Sequence, residues 1–200
     1  MTQRPTFTRA MIVEAAYELT RAGGWESVSA RSLARKLGSS TMPLYSSLSS
    51  MDEIKAEVTG KAAELMNGYQ RKPFDQNPLM SSAIGYIAFA RDEPRLFGFL
   101  YRDRPPGPPG GKSVDRDGSG ARQAFAESGV AELEDQAGFA LDDPMILKNW
   151  IFVHGLASLL SARVLDLADE RIKSLLVEAA IGFHLQASFA QGEEGGEKHE

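Results

Sequence analysis

From Thr8 to Ala22, apolar residues fall at Ile12, Ala15, Ala16, Leu19 and Ala22, the spacing of a helix with one buried face. Gly23-Gly24 ends that pattern, since glycine takes the left-handed conformation cheaply at a helix C-terminus. Ser29 can cap a second, short helix over 30–37, closed by Gly38, with Ala34 and Leu37 facing inward. Ser40 can cap a third over 41–47, where Pro43 is tolerable because first-turn donors lack intrahelical partners. Ser50 followed by Glu53 has the capping-box spacing and opens a fourth helix to about Tyr69.

Lys72-Pro73 closes that helix, and Asn77-Pro78 opens a fifth that runs to about Asp92. Pro94 starts a short apolar helix ending near Tyr101. Residues 103–120 are too rich in proline, glycine and charge to pack, which predicts a mobile loop. A weaker helical pattern covers 121–138. Asp143-Pro144 opens a strong one through Trp150 to about Leu165, and Asp169 can cap a last helix over 170–191. The tail 192–200 is expected to be disordered. The pattern therefore predicts an all-α chain. Residues 1–50 form a small three-helix unit, the helix over 51–70 acts as connector, and 71–191 form a larger bundle.

Charge changes this picture. The net charge is −5, yet residues 1–50 hold six Lys/Arg against three Asp/Glu, a balance of +3. The rest holds 16 basic and 24 acidic residues, a balance of −8. A polyanion would meet the first quarter of the chain and be repelled by the remainder. The absence of cysteine excludes a disulfide framework and thiolate chemistry, and fits a reducing cytoplasm. Three histidines, one of them in the tail, make no metal site, and no cofactor is expected. The first eight residues lack the apolar core of a signal peptide. The most apolar stretch, 150–160, is too short to span a bilayer, so no membrane is expected as a partner.

Two short helices about a glycine-containing turn make a helix-turn-helix. With Leu44 and Leu48 directed inward, Ser40, Thr41, Met42, Pro43, Ser46 and Ser47 are left outward on the helix that enters a major groove. The run Ala15-Ala16, Gly23-Gly24-Trp25, Ser29, Leu33-Ala34, Gly38, Leu44-Tyr45, Leu48, Ser50 and Asp52 resembles the N-terminal domain of the TetR family, over about residues 8–58. The resemblance implies that Ser29 and Tyr45 contact phosphates and that the stretch from Ser39 to Ser46 reads the bases. The family usually has histidine and phenylalanine after the tyrosine, and lysine at the start of the fourth helix. This chain has Ser47, Leu48 and Met51 there. Leu48 keeps the packing role. Ser47 and Met51 remove phosphate contacts for which Arg31, Arg35 and Lys36 could compensate.

Further along, Trp150, His154 and Gly155 form a W-x-x-x-H-G arrangement. It resembles the signature of the C-terminal domain in one TetR branch, over about residues 80–187. Trp150 and His154 are four apart and can stack on one helix face. The small residues Gly155, Ser158 and Ala162 would let a partner helix approach. Ile172, Leu176, Ala179, Phe183, Ala187 and Ala190 offer one side of the last helix. Two such helices per subunit would close an isologous four-helix interface.

The resemblance implies an effector cavity, for which Ile84, Ile87, Phe89, Phe97, Phe99, Tyr101, Phe125, Trp150 and His154 are candidate lining residues, and the composition suggests an apolar or amphipathic ligand. The expectation is thus a cytoplasmic, homodimeric, TetR-like regulator, a repressor that binds a pseudo-palindromic operator in double-stranded DNA. No catalytic constellation stands out, so an enzyme is not expected. The rival is a helical ligand-binding module that has lost strong DNA binding.

Overall fold

The computed structural model describes residues 7–40, 50–101 and 144–196, with side chains described for 7–40, 50–101 and 148–186. Among the described residues all regular structure is helical: seven α-helices, one 3-10 turn and no strand. The described residues fall into two compact units. One holds those up to Met66 together with Glu93 to Tyr101. The other holds Asn67 to Asp92 together with those from Pro144 onward.

In the first unit, α1 (Arg9–Gly23) begins at Thr8, whose hydroxyl accepts from the Met11 N–H. Its buried face is Ile12, Val13, Ala15, Ala16 and Thr20, the last with its hydroxyl bonded back to the Ala16 carbonyl at 2.8 Å. Ala22, expected on that face, is exposed. Gly24 takes φ +86°, and a 3-10 turn (Trp25–Ser27) follows, closed by the Ser27 hydroxyl donating to the Leu19 and Gly24 carbonyls.

Helix α2 (Ala30–Lys36) has a complete capping box made by Ser29 and Ser32. It buries Leu33 and Ala34, whereas Leu37, expected inside, is only half-buried. In a helix of two turns, the adjacent pair Leu33-Ala34 faces α1. Leu37 is already the C-cap.

Helix α3 (Met51–Gln70) starts where the Ser50 hydroxyl accepts from the Glu53 N–H. It buries Ile54, Val58, Ala62 and Met66 at four-residue steps.

Helix α5 (Pro94–Tyr101) belongs to this first unit rather than to the bundle over 71–191. Leu96, Phe97, Gly98 and Phe99 are all buried, and the helix packs on α1.

The second unit contains the last turn of α3, helices α4 (Pro78–Asp92) and α6 (Pro144–Ser161), and α7 (Asp169–Gly196). The Asn77 side chain caps α4 by accepting from the Leu79 and Met80 N–H groups, with Pro78 at the first helical position. Gly85 sets how closely α3 and α4 approach. A Cβ there would stand 2.4 Å from the Tyr69 carbonyl oxygen and 2.8 Å from the Gln70 Cα.

Helix α6 packs on α4 and α7. It stops at Ser161, before the expected Leu165, because Arg163 takes φ +56° and the Arg163 and Val164 N–H groups cap the Leu160 and Leu159 carbonyls. The backbone of α7 stays helical to Gly196, five residues into the segment expected as a disordered tail. The expected loop over 103–120 and the weaker helix over 121–138 lie outside the described residues. No described helix is long and apolar enough to cross a membrane.

Candidate nucleic-acid interface and effector site

In the first unit, α2 ends in a turn with two capping bonds. The Gly38 N–H bonds the Arg35 carbonyl at 3.2 Å and the Ser39 N–H bonds the Ala34 carbonyl at 2.9 Å. Gly38 sits at φ +65° with open space where a Cβ would stand, so the requirement for glycine is conformational rather than steric. The turn delivers the chain to Ser40, which is exposed, and Ser39 is half-buried. Thr41, Met42, Pro43, Tyr45, Ser46 and Ser47 lie outside the described residues.

Ser29 is exposed at the other end of α2, where its Oγ accepts from the Ser32 N–H at 3.1 Å. Arg31 and Arg35 are exposed on the same helix. Lys36 is used structurally, pairing with Glu18 of α1 at 2.6 Å. That bond holds the Glu18 carboxyl below its usual range. Arg9 likewise pairs with Glu53 and Glu57, and Lys61 with Glu14.

The residues expected to line one effector cavity are divided between the units. Phe97, Phe99 and Tyr101 are on α5. Phe99 stacks on Trp25 with ring centres 5.6 Å apart, and Phe97 lies 5.0 Å from Tyr101, whose hydroxyl meets the Met66 sulfur. Lys55 lies over both the Trp25 and Phe99 rings. Phe97 and Phe99 are core of the first unit, and Trp25 and Tyr101 are half-buried beside them. The short apolar helix after Pro94 gave no sign of which neighbours would cover it.

The remaining expected residues that the structure describes sit in the second unit, Ile84, Ile87 and Phe89 on α4 and Trp150 and His154 on α6. Ile84 and Ile87 with Phe74 and Ile172 line a cavity of about 260 Å³. Two ion pairs stand at its rim, Arg91 to Asp169 at 2.6 Å and Lys173 to Asp75 at 2.5 Å. Lys173 holds the Asp75 carboxyl below its usual range. Phe89 is fully buried edge-on to Tyr69. Trp150 and His154 stack at 5.2 Å and 16° on α6, and Phe125 lies outside the described residues.

Sequence reasoning missed the partner of His154. The hydroxyl of buried Tyr86 meets its Nδ1 at 2.8 Å, and burial pushes the imidazole below its usual pKa. The available signal was the spacing of Ser82 and Tyr86, polar positions four apart in an otherwise apolar helix.

Of the residues expected at a dimer interface, Gly155 and Ala162 are exposed, and Ser158 and Ala179 are half-buried. Leu176 is buried within its own unit, and Phe183 lies edge-on to Phe152. The Ala187 side chain lies outside the described residues. Large apolar side chains also stand exposed at Ile151 and Leu159 on α6 and at Val177, Ile181 and Leu185 on α7.

No family model matches the chain, and no curated protein matches it.

Proposed function

We propose that this chain is a dimeric DNA-binding transcription regulator of the TetR type, working in the cytoplasm as a repressor rather than as an enzyme. The observation that carries the reading is the Ser29-capped helix α2 packed on α1 and ended by the glycine turn at Gly38. A short helix followed by such a turn is the first half of a helix-turn-helix. In that motif the segment 41–47, which lies outside the described residues, would make the major-groove contacts, and Ser29, Arg31 and Arg35 would face the phosphates. The second unit takes a small apolar or amphipathic effector, and the exposed stripes on α6 and α7 form the dimer.

A second reading, a helical ligand-binding module without strong DNA binding, has its own support. Arg9, Arg21, Lys36 and Lys61 are engaged with carboxylates of the first unit. That leaves less cationic surface than the raw charge balance implies.

A mobility-shift titration on the DNA upstream of the protein's own coding sequence separates the two. A regulator binds that DNA more tightly than scrambled DNA and weakens steeply as salt rises, each phosphate contact adding about 0.9 to the log–log slope. Equal affinity for both DNAs, or no shift at low salt, would overturn the proposal.

A further inference from the structure

The cavity of about 260 Å³ in the second unit has an apolar lining and a charged one. Ile84, Ile87, Ala88 and Arg91 follow one another at helical spacing along a single face of α4. The opening turns of α7 bring Ile172 to the same space, and Phe74 completes the apolar part. Ile87 and Ile172 are buried, whereas Phe74 is 41% exposed and offers apolar surface that a ligand would cover. The volume exceeds the roughly 150 Å³ that admits benzene in an apolar core, so one ring with a short side chain fits.

The charged lining decides the sign of that ligand. Arg91, Asp169, Glu170 and Lys173 all border the cavity. Both cations are already engaged. Arg91 binds Asp169 at 2.6 Å and Lys173 binds Asp75 at 2.5 Å, which fastens the start of α7 to α4 and to the turn before it. Glu170 takes part in neither pair and has no cationic partner among the described residues. With Asp75 counted, two positive side chains stand against three negative ones, a balance of −1. The N-terminus of α7 returns about half a charge, which does not reverse the sign. An incoming carboxylate would add a fourth anion and find both cations occupied. An ammonium would meet a carboxylate that nothing in the described chain answers.

We infer that this cavity takes a small aromatic monocation, its ring on the apolar lining and its ammonium at Glu170. The inference deepens the reading of the second unit as effector-binding and rests on it. It gives the amphipathic ligand a charge and a place.

Isoleucine-methyl NMR on the full-length protein, without DNA, reads the site directly. Benzylamine at millimolar concentration and low salt should shift the Ile84, Ile87 and Ile172 methyl signals saturably. Benzyl alcohol, of the same size but neutral, should bind about two- to five-fold more weakly, the reach of a solvated ion pair. Benzoate should not bind. Glu170→Gln should bring benzylamine to the level of benzyl alcohol and leave the alcohol unchanged, and this exposed position carries no pairing that holds the fold. Ala88→Phe, with its helical circular dichroism kept, should remove both shifts by filling the space. The absence of a saturable benzylamine shift would overturn the inference. So would equal affinity for benzoate, or a preference for the amine that survives in Glu170→Gln. None of these outcomes touches the mobility-shift titration, so this inference and the DNA-binding reading fail separately.

Discussion

Arg21, near the end of α1, and Glu93, just ahead of α5, hold each other by two hydrogen bonds across 72 residues of chain, Nε to Oε2 at 2.8 Å and Nη2 to Oε1. The pair is asymmetric, the glutamate side chain being 9% exposed and the arginine 53%. Removing the exposed partner strands a nearly buried carboxylate, whereas removing an exposed partner of an exposed carboxylate does little. Arg21→Ala should therefore cost about 1–2 kcal/mol in denaturant unfolding, the half-exposed arginine keeping the loss to the lower part of the usual range. Arg9→Ala, whose partners Glu53 and Glu57 are themselves solvated, should cost less. Equal losses would mean that Glu93 finds another partner.

His154 gives stability a pH dependence of known sign. Burial lowers its pKa in the folded chain, and with the ring proton on Nε2 the Tyr86 hydroxyl donates to Nδ1. The unfolded chain takes up a proton near pH 6.5 that the folded chain refuses. This contribution is therefore complete above that pH and is lost as pH falls from about 6.5 toward the folded value. Unfolding midpoints measured between pH 5 and 8 should fall on the acidic side in the unaltered protein and fall less in His154→Gln. Tyr86→Phe should lower stability at pH 8 by about 1 kcal/mol, since the ring nitrogen loses its donor.

Helix starts were the most legible feature because each is written in a local side chain. Ser29, Ser50 and the Asn77-Pro78 pair all cap where the pattern placed them. What the pattern misassigned was decided by distant partners. Glu93 to Tyr101 read as part of the bundle, yet its acid finds Arg21 and its aromatic finds Trp25. Leu176 read as interface because its spacing suits any buried stripe, and periodicity does not say whether the covering surface belongs to the same chain.

Two backbone positions in the second unit should respond in opposite directions. Gly85→Ala forces a methyl group against the Tyr69 carbonyl and the Gln70 Cα, backbone atoms that cannot rotate away. The expected loss is about 1–3 kcal/mol. Arg163 instead holds a left-handed conformation that glycine adopts without strain. Arg163→Gly should gain about 0.5–1 kcal/mol, the relief exceeding the added freedom of the unfolded chain. Thermal melts of the two variants beside the unaltered protein check both signs, at about 2–4 °C per kcal/mol. A stable Gly85→Ala would show that the α3–α4 hairpin can open.

The dimer proposed here is held by residues that the single chain leaves uncovered. Ile151, Gly155 and Leu159 repeat at four-residue steps along α6, and Val177, Ile181 and Leu185 do the same along α7. Ile151, Ile181 and Leu185 are each more than half exposed, too much large apolar surface on adjoining helices for an isolated soluble unit. The same patch met by its two-fold copy gives four helices around one seam. Ile151→Glu with Ile181→Glu should abolish association in sedimentation velocity while the helical circular dichroism is kept. On the proposed DNA-binding reading, operator affinity should also fall steeply, because a dimer is needed to meet successive major grooves about 34–36 Å apart. Gly155→Leu is the finer probe, since Gly155 is exposed and nothing in the single chain stands within 4 Å of a Cβ there. Any loss of dimer in that variant must come from the partner. Leu176→Ala provides the contrast. It opens a cavity inside one unit and should lower stability by about 2–4 kcal/mol without selectively breaking the dimer. A dimer that survives both glutamates would place the interface elsewhere on the molecule.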